Sequence, residues 1–247
     1  MTATKDARHH FCVYVGDSAL HDTDSFHSRD ADLAHRLHRV LRLRAGSSVQ
    51  LFNDTHHALL RLGETKKWKT EVVGSISNTA ATIARTPALH VGIGLLKPAA
   101  LEQAIYAASA AGATSITPII TSKSQKELSD RERERLRMQV IAACEQAKNV
   151  QLPQLHVPLT LEKFLDSEPH TRCWFDGSGA PLPMLVQDLA SLPPSISLLI
   201  GAEAGFTSAE EALIRSHDWP AYCLTPTVLR AVEAVTVAVS VVSGTVF

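Results

Sequence analysis

Apolar and polar positions follow two different patterns along this chain, and the change between them falls near "ARTPALH" at 84–90. Before it, "HFCVYV" (10–15), "SVQLF" (48–52), "ALLRL" (58–62) and "WKTEVVGSI" (68–76) are short strand-like runs between polar or glycine-containing stretches. They predict a small antiparallel β-barrel over residues 1–80. After it, apolar runs near 89–96, 115–120, 171–175, 196–200 and 221–224 alternate with helical patterns near 98–111, 130–148 and 207–217. That alternation predicts an α/β domain with a largely parallel sheet over residues 86–247.

Within the first part, Leu33, Leu37, Val40 and Leu41 recur at helical spacing, so "HRLHRVLRLR" (35–44) reads as an amphipathic helix. Asp30 is its expected N-cap and Gly46 its expected stop. Arg36 and Arg39, with His35 and Arg42, fall on the outer face, which is either a nucleic-acid contact or a solvated helix face. His35 and His38 lie three apart but have no acidic or cysteine partner at ligand spacing, so no metal site is expected. The final segment, "VEAVTVAVSVVSGTVF", has Val235, Val237, Val239 and Val241 alternating with small or polar residues, and locally that is a strand period.

The stretch "SLLIGAEAGFTSAEEALI" (197–214) carries the first candidate site. Its "SLLI" reads as a buried strand, Thr207 and Glu210 form a capping-box pattern, and Gly201 and Gly205 lie in the turn between strand and helix. Ligands of parallel α/β sheets bind outside the carboxyl ends of strands, where glycine lets the backbone approach them closely. An ordinary βα loop would have the same pattern. A second loop, "CLTPTVLRAVEA" (223–234), leaves another short strand and is expected beside the first.

Charge changes this picture little: 24 Lys+Arg against 25 Asp+Glu give a net −1, so any nucleic-acid contact needs a local patch such as 35–44. No apolar run approaches the roughly 18 residues of a membrane span, and "MTATKDARHHF" lacks the apolar core of a secretory signal, so a cytoplasmic protein with no membrane partner is expected. Cys12, Cys144, Cys173 and Cys223 lie far apart and are read as reduced, mostly buried thiols. "GIGLLK" (92–97) lacks the third glycine of a dinucleotide fingerprint.

Taken in register, "LLIGAEAGFTSAEEALI" and "CLTPTVLRAVEA" resemble the C-terminal signature of the RsmE family, SPOUT-class methyltransferases acting on N3 of a uridine in small-subunit ribosomal RNA. "RHHF" (8–11), "HRVLRLRAG" (38–46), "GLLK" (94–97), "SITPIITSKS" (115–124) and "EQAKNVQLPQLHVPLTLEKFL" (145–165) are similar to further family motifs, in order along nearly the whole chain. The resemblance implies a PUA-like RNA-binding barrel, then a SPOUT α/β domain with a deep C-terminal trefoil knot that holds S-adenosylmethionine. It also implies a homodimer across the knotted domain, with the final segment helical, and 16S ribosomal RNA or the small ribosomal subunit as partner.

Under that resemblance Ile200, Gly201, Glu203, Gly205, Leu224 and Leu229 are expected to bind the cofactor. Arg8, Arg36, Arg39, Arg42 and Lys123 are expected to meet RNA. Methylating uracil N3 requires removal of the imide proton and stabilisation of the resulting anion. Arg230 is the candidate cation, its other reading being an interface or capping arginine. Glu233 or Glu203 is the candidate base, with Glu233 favoured. The chain departs from the family pattern at Ala202 and Ala204, where proline and glycine are usual, and alanine at 204 is strained if that position needs a positive φ. Lys148 stands near a usual arginine, and the acid after "LR" is displaced by one residue to Glu233. Three readings follow: an active uridine-N3 methyltransferase, an RNA-binding relative with weak or lost catalysis, and a SPOUT methyltransferase for another RNA position.

Overall fold

The computed structural model describes residues 11–246 except 17, 19, 21–23, 84, 125–127, 168–170 and 192. The chain forms two compact units, Met1–Ile83 with Cys144–Leu152, and Ala84–Ala143 with Pro153–Phe247.

The first unit is built on a five-stranded mixed sheet of order β1-β3-β4-β5-β2. The strands are β1 (Phe11–Tyr14), β2 (Ser25–Ser28), β3 (Ser48–Phe52), β4 (His56–Leu62) and β5 (Val72–Ala81). β2, β3, β4 and β5 pair antiparallel, but β1 joins β3 in parallel, which corrects the all-antiparallel expectation at this edge. The long connection between β1 and β3 permits it, since parallel neighbours need a crossover. Val13, Leu37, Val49, Leu51 and Leu60 are fully or almost fully buried in the unit's core. "WKTEVVGSI" does not start a strand at Trp68: residues 66–70 form a turn, and β5 begins only where Val72 supplies the first inward apolar side chain.

Helix α1 (Ala31–His35) starts as expected, with Asp30 Oδ1 accepting from the N–H groups of Asp32 at 2.9 Å and Leu33 at 3.1 Å. It then widens into a π-helical turn, Arg36–Val40, in which Leu41 N–H donates to Arg36 O at 2.9 Å. The wider turn shifts the phase of its own residues relative to the preceding α-helix, and Val40, its last residue, faces solvent instead of the core. The helix stops at Arg42, whose φ is 55°, not at Gly46.

The second unit carries a parallel sheet of order β12-β10-β11-β6-β7-β8, with β9 also on β7. Its elements are β6 (Ala88–Gly94), α2 (Pro98–Ala110), β7 (Ser115–Ile120), α3 (Asp130–Ala147, whose residues from Cys144 on count with the first unit), β8 (Gln154–Leu155), β9 (Leu159–Thr160) and α4 (Leu161–Ser167). They continue with β10 (Thr171–Pro181), α5 (Leu182–Asp188), β11 (Ser195–Ile200), α6 (Ser208–Ser216), β12 (Ala221–Cys223) and α7 (Ala231–Val246). Central strand β11 is buried along its whole length, as a parallel strand covered on both faces must be. The short α4 and α5 have no counterpart in the sequence expectation.

The last segment is a helix, as the family resemblance implies and against its local strand period. Ala231, Val235, Ala238, Val239 and Val242 are its buried residues, the last four at i, i+3, i+4 and i+7. α7 packs against α2, and Ser243 Oγ donates to Ala111 O at 2.7 Å. Tertiary burial on α2 outweighs the β-preference of the valines.

Candidate active site

At the carboxyl end of β11 the chain makes a tight turn, closed by Gly205 N–H donating to Ala202 O at 2.8 Å. The positive φ in this turn, 65°, falls on Gly205 and not on Ala204, so the condition for strain at alanine 204 is not met. The turn sits directly on the end of β6: a Cβ added at Gly94 would lie 2.4 Å from Ala202 N. Helix α6 then starts with the full capping box, Thr207 Oγ1 accepting from Glu210 N–H and Glu210 Oε2 from Thr207 N–H. Glu210 Oε1 also accepts from Ser122 N–H at 2.7 Å, tying the end of β7 to the same corner. Burial disfavours the Glu210 carboxylate, but the N–H groups of Thr207 and Ser122 outweigh it and hold the acid below its ordinary pKa.

At the end of β12, Cys223 Sγ donates to Thr225 O at 3.0 Å and Thr225 Oγ1 to Thr227 O at 2.7 Å, which folds the second loop back on itself. The two loops are neighbours, as expected, and with residues 175–177 of β10 they enclose a cleft of about 580 Å³. That size suits a cofactor-sized ligand. The wall from β10 was missed by sequence reasoning. There the pairing with β12 shifts register between Phe175 and Ala180, and the intervening "DGSG" turns Asp176 toward the cleft. A D-G-S-G run at a strand end was the available signal. Asp176 Oδ1 accepts from the Ser178 hydroxyl and from Ser178 N–H, which holds its carboxyl below the ordinary range.

Ile200, Gly201, Glu203, Gly205, Leu224 and Leu229 all line the cleft. Glu203 also accepts from Lys97 N–H at 3.2 Å, at the start of α2. Arg230 and Glu233 are exposed and are not among the lining residues, whereas Ala231 and Ala234 are. Lys123 lies against the turn, its Nζ donating to Ala204 O at 3.1 Å. In the first unit Arg36 is ion-paired with Glu145, the guanidinium of Arg39 lies over the Trp68 ring at 4.8 Å, and Arg42 is exposed. Arg8 lies outside the described residues. Among the described residues no cluster of metal-ligand type occurs, and no helix is long and apolar enough to cross a membrane.

The cleft is mostly apolar, with backbone groups of two loops and two carboxylates, Asp176 and Glu203, and its described lining holds no Lys or Arg. Such a wall suits a ligand that is part apolar and part cationic.

The sequence model of one family, described as RNA methyltransferase domain, matches residues 84–243, so the second unit is built around an RNA methyltransferase domain. Two relatives are named ribosomal RNA small subunit methyltransferase E. The one from Synechocystis is 28% identical over 85% of this chain and 70% of its own length. The one from Rickettsia conorii is 26% identical over 92% and 93%. The crystal structure of the Neisseria gonorrhoeae enzyme of the same name, bound to S-adenosyl methionine, shares the fold with a TM-score of 0.78, at 21% identity over 94% of this chain and 96% of that one. The chain belongs to the RsmE family of RNA methyltransferases.

Proposed function

We propose that this chain transfers a methyl group from S-adenosylmethionine to N3 of a uridine in 16S ribosomal RNA, either free or in the small subunit. The observation that carries the reading is the cleft at the carboxyl ends of β11 and β12, in an RsmE-family chain, with carboxylates and no cation in its described wall. Its glycine turn and the apolar Ile200, Leu224 and Leu229 would hold the cofactor, and Asp176 and Glu203 favour its positive charge. When bound, the cofactor supplies a methyl group already activated as a sulfonium.

On the acceptor side, Arg230 is assigned to the negative charge that spreads over N3 and both carbonyl oxygens as the imide proton leaves. Glu233 is assigned to take that proton, with Glu203 as the other candidate. The reading includes a PUA-like barrel closed from the first sheet, a trefoil knot and homodimer in the second unit, and a cytoplasmic site of action. One observation favours the second reading, an RNA-binding relative without catalysis: neither Arg230 nor Glu233 lines the cleft.

The test is methyl transfer to small-subunit ribosomal RNA and to intact subunits, with the product nucleoside identified by mass spectrometry. Arg230→Lys keeps the charge but loses the bidentate fork, so turnover should fall by about a hundredfold or more while cofactor affinity stays nearly unchanged. A protein that binds cofactor and RNA yet methylates neither substrate would establish the second reading instead.

A further inference from the structure

The first unit carries a cleft of its own, of about 580 Å³, between the end of the π-helical turn and the turn at 63–68. Arg44, Glu64, Lys66 and Trp68 line it. Trp68 is 37% exposed, whereas the chain's other tryptophans, Trp174 and Trp219, are exposed by only 1% and 2%. A large aromatic ring left on the surface between lysines forgoes the burial that normally fixes it. Here the ring is held by cations instead, with the Arg39 guanidinium 4.8 Å and Lys69 Nζ 5.6 Å from its centroid.

The backbone that presents these cations is strained. A π-helical turn over Arg36–Val40 is followed at once by Arg42 in the left-handed region, and both features concentrate at functional sites. The acids nearby do not neutralise the patch. Glu71 is engaged by Arg29 and Lys67, and Glu64, the acid in the described lining of the cleft, stands there with Arg44 and Lys66, while Arg39 and Lys69 lie on the Trp68 ring. An aromatic face among guanidinium and ammonium groups has the chemistry that stacks a nucleobase and holds its flanking phosphates.

We propose that this cleft binds one unpaired nucleotide of an RNA strand, its base stacked on the Arg39–Trp68 pair and its phosphates held by Arg44, Lys66 and Lys69. The proposal rests on the reading that the substrate is RNA, and adds that the first unit requires a strand with an unstacked base. A duplex cannot offer one.

The experiment titrates the full chain with an octauridylate and with a duplex of the same length, following tryptophan emission and binding by fluorescence anisotropy. Single-stranded RNA should quench the emission and the duplex should not. Trp68→Ala should weaken single-strand binding by about tenfold to a hundredfold, the range for loss of one stacked base. Its salt slope should be unchanged, since no phosphate contact is lost, whereas Lys66→Ala should flatten that slope by about 0.7. Trp68→Phe, which keeps a stacking face, should bind within about threefold and lose the quenching, which guards against a folding defect in the alanine variant. Equal binding by Trp68→Ala, equal quenching by the duplex, or no single-strand binding by the unaltered chain would each overturn the proposal. Failure of the functional reading is distinct: Trp68→Ala would weaken RNA binding while the unaltered chain transfers no methyl group.

Discussion

Gly94→Ala and Gly205→Ala each add one methyl group to the framework of the cleft, and their effects should differ sharply. At Gly94 the new Cβ would lie 2.4 Å from Ala202 N and 2.9 Å from Gly201 C, both backbone atoms. Ordinary contact needs the turn to retreat by about 1 Å, and overpacking of this kind costs about 1–3 kcal/mol. The retreat moves the residues that line the cleft, so cofactor affinity should fall at least about tenfold. At Gly205 the added Cβ meets nothing within 4 Å, and the penalty is that of φ at 65° alone, about 1 kcal/mol. Cofactor affinity should then drop by no more than about fivefold. Ala204→Gly should bind no tighter, because that residue is not in the left-handed region, and should lose about 0.5 kcal/mol of stability through the unfolded chain. Calorimetry with S-adenosylmethionine, beside thermal unfolding of each variant, measures both quantities. Unaltered affinity in Gly94→Ala, or tighter binding in Ala204→Gly, would refute the account of how the turn is seated.

Burial pushes the Cys12 thiol up to about 12, with Glu145 and Cys144 adding to it, and burial raises Cys173 as well, while Cys144 is also buried. A thiol reagent at pH 8 should therefore modify Cys223 first, and S-adenosylmethionine should slow that reaction because Cys223 lines the cleft; equal rates with and without ligand would contradict its placement. Glu210 has a folded pKa depressed from 4.5, so its contribution is full above that value and is lost as pH falls through the folded one. Glu210→Gln should lower Tm by about 2–4 °C at pH 7, as loss of a cap worth about 1 kcal/mol does, and the gap should narrow as pH falls below 4.5; a gap that stays constant throughout acid titration would show that the charge is not involved.

What could be read from the sequence depended on how far apart the deciding residues lie. The caps at Asp30 and Thr207 are settled by side chains two or three positions from the N–H groups they accept, so both were legible. The adjacency of the loops after β11 and β12 followed from a rule about parallel sheets, not from any local signal. Val235 and Val239 fit a period of 2 and a period of 3.6 equally well, and only contact with α2, more than a hundred residues earlier, selects the helix. The π-helical turn was hidden for the same reason, since nothing in "RLHRV" distinguishes it from the α-helix that would have buried Val40.

Arg230 and Glu233 show how one position of register bears on chemistry. Ala231 and Ala234 line the cleft, and Arg230 and Glu233 each stand one residue earlier. A single step on a helix rotates a side chain by about 100°, so Glu233, inside α7, is turned away from the face of Ala234, and neither it nor Arg230 lines the cleft. Arg230 stands just before α7, its carbonyl accepting from Ala234 N–H at 2.8 Å, and Glu233 is the third residue of that helix, so the displaced acid lies within the same helix start as the arginine. If they act together, they act on the acceptor from the mouth of the cleft and not on the cofactor within it. Substituting either should leave cofactor binding intact, and the two losses of turnover should not add, because an acid and a cation serving one proton transfer fail as a unit.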